Sequence, residues 1–134
     1  MPKLWSPWTA FLDAVSSKLA FYPPNPPTYK VVAHPTSGRA RLQPDTCPSN
    51  AYDVCKVPTQ RGHLTTVMLP YQDGSGPVLL FSHGNAVDIG VMMPFYDDLV
   101  SLLNITVCSY DYTGYGESTG GGPSVSATLS DIQV

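Results

Sequence analysis

Two strand candidates in the second half of the chain, each followed by a glycine-containing loop, constrain the fold most. Residues 78–81 form the first, which is a continuous apolar run, and residues 105–110 form the second, which is also predicted to be buried. A continuous apolar run is typical of a strand buried on both faces of a parallel sheet. A helical apolar pattern covers residues 92–103, and Ser124 is a suitable cap for a further helix after the second loop. The order strand, helix, strand, helix predicts an α/β fold with a mostly parallel sheet.

The helix at residues 92–103 is predicted from its apolar spacing and its ends. Pro94 is placed in its first turn, where the missing N–H costs little, and Asn104 ends it. Its predicted buried stripe consists of Phe95, Leu99, Leu102 and Leu103.

The first half of the chain predicts a separate leading region and then an antiparallel hairpin. Residues 1–27 combine an amphipathic helix with a proline-rich connector, and residues 28–134 form the α/β domain. Residues 33–53 are predicted to be irregular, with a strand candidate at residues 29–32 before them. Residues 54–57 and 64–69 are predicted to pair as a hairpin across a turn.

The leading helix has two open interpretations. It can pack on the body of the protein, or it can lie on a membrane surface through Trp5, Trp8 and Phe11. No uninterrupted apolar run reaches the ~20 residues that a membrane span requires. We therefore expect a cytoplasmic protein, with peripheral attachment to a membrane as the alternative.

Charge and cysteine usage exclude several other classes of function. The net charge is -3, so the chain carries no basic surface of the kind that binds nucleic acid. Three cysteines, without a C-x-x-C pair, indicate thiols rather than a disulfide framework, although Cys47 and Cys55 could pair. The three histidines are scattered, and neither a metal site nor a cofactor is expected.

The loop that follows the first apolar strand is a candidate oxyanion site. His83, Gly84 and Asn85 lie at the carboxyl end of that strand, where ligands bind in parallel α/β sheets. Glycine permits a sharp turn and a close approach by a ligand. A backbone N–H just beyond it could stabilise the oxyanion of an acyl-transfer intermediate. Asn85 is therefore the oxyanion-hole candidate, although small residues also favour turns that have no such role.

The second loop contains a formal match to the nucleophile-elbow pattern G-x-S-x-G at residues 116–120. An elbow needs a strand that ends at its first glycine and a helix that starts at its serine. Here the strand ends near Tyr110, and three glycines and a proline follow Ser118 and Thr119. We predict that Ser118 is a decoy, that it forms no triad with His83 and Asp111, and that the loop lines the site. Tyr110 and Tyr112 are expected to pack or to hydrogen-bond.

Three separated segments give the sequence a recognisable likeness. Residues 80–90, 109–120 and 17–29 resemble the α/β-hydrolase-domain-containing protein 17 family in its plant and algal form. The match runs in register from about Ser16 to Val134. The resemblance implies the N-terminal half of an α/β-hydrolase fold that ends before the nucleophile elbow. It also implies a serine hydrolase that removes S-palmitoyl groups from membrane-associated proteins.

The resemblance assigns site residues one by one. It places the backbone N–H of Asn85 at the oxyanion loop and implies that His83, Gly84, Asp111, Gly114 and Gly116 belong to active-site loops. The family's nucleophile, acid and histidine have no counterpart here, so this chain alone is expected to be inactive. Two departures weaken the membrane assignment. Animal members of the family have a cysteine-rich N-terminus that is acylated for membrane attachment, whereas no cysteine precedes Cys47 here. Position 2 is Pro2 rather than the glycine that N-myristoylation requires.

Three functions remain open at this level. The first is the thioesterase-type serine hydrolase, with S-acylated proteins as substrates. The second is a non-catalytic α/β module that binds a partner or a membrane through the leading helix. The third is an esterase or a serine peptidase-like hydrolase.

In α/β-hydrolases the strand that ends in the nucleophile lies beside the one matching residues 78–81. We therefore expect an open sheet edge there, and self-association of the isolated chain.

Overall fold

A computed structural model describes residues 7–49 and 51–134, which form three helices and six strands. Trp5, which was predicted to contribute to the leading helix, lies outside these residues. In chain order the elements are α1 (Pro7–Ala20), β1 (Lys30–Ala33), β2 (Ala40–Gln43), β3 (Asp53–Pro58), β4 (His63–Leu69), β5 (Val78–Ser82), α2 (Ile89–Leu103), β6 (Thr106–Tyr110) and α3 (Val125–Asp131).

Four strands form one mixed sheet in the order β3-β4-β6-β5. The hairpin β3–β4 is antiparallel, as predicted, and β4 also pairs antiparallel with β6. β5 and β6 run parallel, with Leu80 opposite Cys108, so both strands end at the same edge of the sheet. The predicted α/β class is confirmed, but the described sheet is mixed rather than mostly parallel, because β4 pairs antiparallel with both of its neighbours. The two loops that carry the candidate site residues begin side by side.

The hydrophobic core lies between this sheet, α2 and the segment around β1 and β2. Val67 and Leu69 from β4 and Val107 from β6 contact the core side chains of α2. The remaining buried members of this cluster are Tyr29, Leu42, Cys47, Tyr52, Ile89, Met93 and Tyr96. The central position of β6 explains why its side chains are the most completely buried of any strand.

The prediction that residues 33–53 are irregular is wrong for β2, which pairs antiparallel with β1. Leu42 is buried in the core, and the guanidinium of Arg41 lies over the ring of Tyr52 at 4.5 Å from its centroid. A strand of four residues between Gly38 and Pro44 is too short to show a clear alternation. Tertiary contacts with the core stabilise it instead.

Helix α2 begins at Ile89, three residues earlier than predicted. Asp88 caps it by accepting a hydrogen bond from the Val91 N–H at 3.3 Å, and Asn104 ends it in the left-handed conformation, as predicted. Pro94 therefore lies inside the helix rather than in its first turn. Proline has no N–H to donate to the Gly90 carbonyl, as another residue at position 94 would. That carbonyl accepts a hydrogen bond from the Thr46 hydroxyl at 2.9 Å instead.

The predicted buried stripe of α2 is also wrong for most of its residues. Phe95, Leu102 and Leu103 are exposed, and Leu99 is partly buried. The buried side chains of the helix are those of Ile89, Met93 and Tyr96. The helix has apolar residues on more than one face, so the spacing alone does not determine which face meets the sheet. The position of α2 across β4 and β6 decides it.

Strand β5 is not buried on both faces as its sequence predicts. Val78, Leu79 and Leu80 are exposed, because β5 is the last strand of the described sheet and has only β6 beside it. The expected open edge at this strand is therefore present. An apolar strand with unpaired backbone groups is a template for pairing with another chain.

We expect Val78→Lys to weaken self-association of this chain. Lysine on an edge strand opposes strand pairing, so the concentration that gives half dimer should rise by roughly fivefold or more, about 1 kcal/mol. Sedimentation velocity over a concentration series measures it. Leu129→Lys is the matched control, since Val78 and Leu129 are both 62% exposed but Leu129 lies on α3. A monomeric wild-type chain, or an equal effect of both variants, would contradict the prediction.

Candidate active-site loops

The carboxylate of Asp111 is the centre of the contacts at the carboxyl ends of β5 and β6. It follows β6 directly and is fully buried. One oxygen, Oδ1, accepts the Ile89 N–H at 3.0 Å and lies 3.1 Å from Nε2 of His83. The other, Oδ2, accepts the hydroxyl of Tyr29. These contacts tie the start of α2, the loop after β5 and the segment before β1 to one side chain.

Burial raises the pKa of Asp111 above its ordinary value. The contacts with His83 and Tyr29 act in the opposite direction, because they stabilise the carboxylate. Burial and the neighbouring Asp111 carboxylate together raise the pKa of Tyr29 far above that of a free tyrosine. The phenol of Tyr29 therefore remains a hydrogen-bond donor to Asp111.

The imidazole of His83 is enclosed by the aromatic side chains of the second loop. Its ring centroid lies 4.5 Å from that of Tyr112 and 5.4 Å from that of Tyr115. Both His83 and its partner Asp111 are buried. The carbonyl of His83 accepts the Tyr112 hydroxyl at 2.7 Å. Tyr110 packs edge-on against Tyr112 and its hydroxyl pairs with that of Ser82 at 2.9 Å, so the predicted tyrosine contacts are confirmed.

The backbone at Gly116 contacts the Asp111 carboxylate directly. Gly116 has a φ of +49°, and a Cβ there would overlap the Asp111 carboxylate and lie 2.7 Å from the Tyr29 hydroxyl. Gly114 has a φ of +85°, and a Cβ there would lie 2.6 Å from Cδ of Pro123. Gly116 therefore allows the loop to close on the buried carboxylate, and Gly114 allows it to pack closely against Pro123.

Ser118 is buried, and both hydrogen-bonding capacities of its hydroxyl are used. Its Oγ donates to the Asp111 carbonyl at 2.8 Å and accepts the Thr65 N–H at 2.9 Å. His83 and Asp111 do meet, a side-chain contact that the sequence did not predict. Among the described residues, however, Ser118 is joined to Asp111 through the main chain, and no hydrogen bond joins it to His83. The geometry is that of a loop anchored to β4.

The main chain and the side chain of Asn85 have different surroundings. Its main-chain N–H has no hydrogen-bond acceptor among residues 7–49 and 51–134. Its side chain accepts the Tyr115 hydroxyl at 2.7 Å and the Ala86 N–H at 3.0 Å. A Cβ on the neighbouring Gly84 would meet no described atom within 4 Å, so the space beside the turn is open.

Two buried carboxylates at this edge were missed by the sequence reasoning. Asp88 caps α2 and also accepts the N–H and the hydroxyl of Thr28. Asp131 on α3 accepts the N–H and the hydroxyl of Thr113 at 2.7 and 2.9 Å. The position of Asp88 just before an apolar run was a usable capping signal. Nothing in the sequence indicated the long-range partners of Asp131.

A cavity of about 330 Å³ lies beside the second loop, but away from the oxyanion candidate. Its lining includes Arg61, Thr113 and Asp131, and neither His83 nor Asn85. The described part of the chain contains no cluster of three or more His, Cys, Asp or Glu side chains that could hold a metal ion. Within the same residues, no helix combines the length and the hydropathy needed to cross a bilayer.

A mixed sheet in which a His-Gly turn and a Gly-rich loop follow two adjacent parallel strands is consistent with part of an α/β-hydrolase fold. No family model matches the chain. It is 38% identical over 127 residues to alpha/beta hydrolase domain-containing protein 17B of Xenopus tropicalis. The matched region covers 88% of this chain and 43% of that protein.

Two further relatives give the same result. The human protein 17B is 37% identical over 79% of this chain and 40% of its own length. The alpha/beta hydrolase domain-containing protein aho-3 of Caenorhabditis elegans is 38% identical over 91% of this chain and 38% of its own length. The chain belongs to the α/β-hydrolase-domain-containing protein 17 family and matches the N-terminal part of its members. It spans less than half of the length of these curated relatives.

Gly116→Ala should destabilise the fold by at least about 3 kcal/mol, because it combines a left-handed φ with an overlap on a buried carboxylate. Gly122→Ala lies in the same loop but has open space around it, so it should change stability by less than about 0.5 kcal/mol. Urea unfolding followed by circular dichroism compares the two. Similar losses in both variants would show that the contact with Asp111 is not what requires glycine at position 116.

Alkaline pH should destabilise the wild type more steeply than Tyr29→Phe. The pKa of Tyr29 is raised by folding, so its contribution is complete below the unfolded value of about 10 and is lost as the pH rises further. Above about pH 10, the wild type should lose up to ~1.4 kcal/mol per pH unit more than the variant. Urea unfolding at several pH values gives both slopes, and equal slopes would contradict the assignment.

Proposed function

We propose that this chain supplies the oxyanion-binding segment of a serine hydrolase. The observation that carries the proposal is the main-chain N–H of Asn85, which has no acceptor among the described residues and lies at the carboxyl end of a parallel strand, beside open space. Such a donor can bind the negative oxygen that develops when a carbonyl is attacked. Membership of a hydrolase family supports the same role.

The contacts around Asn85 suit a donor that has to be held in place before the reaction. Oxyanion stabilisation depends on dipoles that need no reorganisation when charge develops. The His83 carbonyl is fixed by Tyr112, and the Asn85 side chain is fixed by Tyr115. The His83 ring itself lies against Asp111. The loop is therefore held on both sides of Gly84 while the N–H of Asn85 remains available.

The proposed reaction is hydrolysis of an S-acyl thioester on a protein, as the family resemblance implies. A serine from outside the described residues attacks the thioester carbonyl, and the oxyanion receives a hydrogen bond from Asn85 N–H. Ser118 is not that serine, because its hydroxyl already donates to Asp111 and accepts from Thr65. The chain by itself is accordingly proposed to be inactive, and a cytoplasmic location with S-acylated protein substrates stays a prediction.

A chimera tests this proposal. The chain is joined to the part of the Xenopus tropicalis relative that follows the matched region, and hydrolysis of an S-palmitoyl peptide is measured. We expect the chimera and its Ser118→Ala variant to turn over the peptide at rates that agree within about threefold. The chain alone should show no turnover. A fluorophosphonate probe should label the chimera but not the isolated chain. Labelling of the isolated chain at Ser118 would overturn the assignment.

The same chimera distinguishes the other hydrolase specificities. An oxygen ester and an amide with the same acyl chain are compared with the thioester. Faster turnover of either, as kcat/KM, would replace the thioesterase proposal with an esterase or a peptidase-like activity.

A second candidate function is attachment to a lipid surface through α1, with or without catalysis. The described apolar side chains of this helix are exposed: Trp8 by 74%, Phe11 by 59% and Leu12 by 61%. The rings of Trp8 and Phe11 meet edge to face, with centroids 6.5 Å apart. Aromatic rings on an exposed helix suit the interface between lipid headgroups and acyl chains.

Vesicle binding tests this second candidate. The paired variant Trp8→Ala, Phe11→Ala should bind vesicles of phosphatidylcholine and phosphatidylserine at least roughly tenfold more weakly, because it removes both aromatic side chains of α1. Co-sedimentation measures the bound fraction. Leu129→Ala removes an apolar side chain of α3 that is 62% exposed, between Phe11 and Trp8 in exposure, and should leave binding unchanged. An unchanged bound fraction in the paired variant would exclude α1 as the attachment site.

A further inference from the structure

The side chain of Asn85 connects the proposed oxyanion loop to the end of helix α1. Its Nδ2 donates to the Ala20 carbonyl at 2.6 Å, and its Oδ1 accepts the Tyr22 N–H at 2.9 Å. The two bonded groups flank Phe21, so the amide pairs with the main chain as a peptide group of a neighbouring strand would. We refer to these two hydrogen bonds as the Asn85 bridge. It spans more than 60 residues of sequence.

The bridge satisfies groups that a helix end leaves without partners. The last carbonyls of an α-helix have no intrahelical donor, and Ala20 is the last residue of α1. Phe21 N–H serves the Ser17 carbonyl at 3.2 Å, whereas the Ala20 carbonyl receives Nδ2 of Asn85. α1 contacts α3, and its end is also bonded to the residue whose main-chain N–H is the proposed oxyanion donor.

The turn that follows Asn85 depends on the same side chain. Ala86 has a φ of +63°, in the left-handed region that is unfavourable for alanine. Its N–H donates to Oδ1 of Asn85 at 3.0 Å, the oxygen that also accepts from Tyr22 and Tyr115. Moving the end of α1 thus acts on the group that holds residues 85–86 in this conformation.

We propose that Asn85 is a positioning residue that couples the placement of α1 on a lipid surface to the order of the oxyanion loop. This inference rests on the proposed function for the identity of the loop. The exposed side chains of Trp8, Phe11 and Leu12 provide the attachment, and the Asn85 bridge transmits it. Fixing α1 on a bilayer restrains Ala20 and Tyr22, which in turn restrains the turn at Asn85 and Ala86.

Hydrogen exchange with and without vesicles tests the coupling. The whole chain is mixed with vesicles of equal parts phosphatidylcholine and phosphatidylserine, and exchange is followed by mass spectrometry in the peptide that contains residues 84–88. In the wild type, vesicles should slow exchange there by roughly threefold. Asn85→Ala should bind vesicles to the same extent, but its loop exchange should no longer respond to them.

Two further variants separate the bridge from general loss of structure. Tyr115→Phe removes one bond to Oδ1 but leaves the bridge, so its loop should respond to vesicles as the wild type does. Asn85→Asp keeps the acceptor for Tyr22 and loses the donor to Ala20, so its response should be intermediate. This pattern is one that a merely structural role of Asn85 would not produce, because the readout is the difference made by the vesicles.

Three outcomes would overturn the inference: a wild-type chain that does not bind these vesicles, bound wild type whose loop exchange is unchanged, or an Asn85→Ala chain that keeps the full vesicle effect. The last result would mean that the bilayer shields the loop directly. The exchange experiment does not measure turnover, so a negative result in it leaves the hydrolase proposal standing. An inactive chimera, in turn, would not alter the result of the exchange experiment.

Discussion

The buried carboxylate of Asp111 is the interaction on which the arrangement of the loops depends. A charge or a polar group removed from water is tolerated only when it is well paired, and this one contacts Tyr29, His83 and the N–H of Ile89. Those partners come from three separate segments of the chain. The backbone at Gly116 closes around the same group. Removing any one partner would leave the others around an incompletely satisfied carboxylate, so these segments are expected to order together.

The proposed oxyanion loop takes its position from the contacts of Asp111. His83 leads into Gly84 and Asn85, and its ring is held against Asp111 by the aromatic rings of Tyr112 and Tyr115. Both tyrosines also donate hydrogen bonds to this loop, one to the His83 carbonyl and one to the Asn85 side chain. The residues that the family resemblance grouped as active-site loops are thus joined by contacts whose immediate effect is structural. Among the described residues these contacts leave the Asn85 N–H without an acceptor, and it is this group that we propose to bind the oxyanion.

Several errors of the sequence interpretation have a common physical cause. The apolar run of β5 predicts burial on both faces, yet its side chains are exposed at the edge of the described sheet. Phe95 and Leu102 fit a buried helical stripe, yet Met93 and Tyr96 occupy the core. Hydropathy reports that a side chain can be buried, whereas burial requires a partner whose position comes from the rest of the fold. β2 was missed for a related reason, because its short sequence depends on the core beneath Leu42.

The sequence by itself determined the order of elements, the α/β class, the hairpin and the capping residues Ser124 and Asn104, because these depend on local spacing and backbone preference. It also placed His83, Asn85 and Asp111 at the ends of adjacent strands. The tertiary structure alone decided that His83 meets Asp111, that the Ser118 hydroxyl is bonded to Asp111 and Thr65, and that Asn85 bridges to α1. Apart from the bond between Ser118 and Asp111 within one loop, these contacts join residues far apart in the chain. No local pattern encodes them, and the geometry of the folded sheet brings them together.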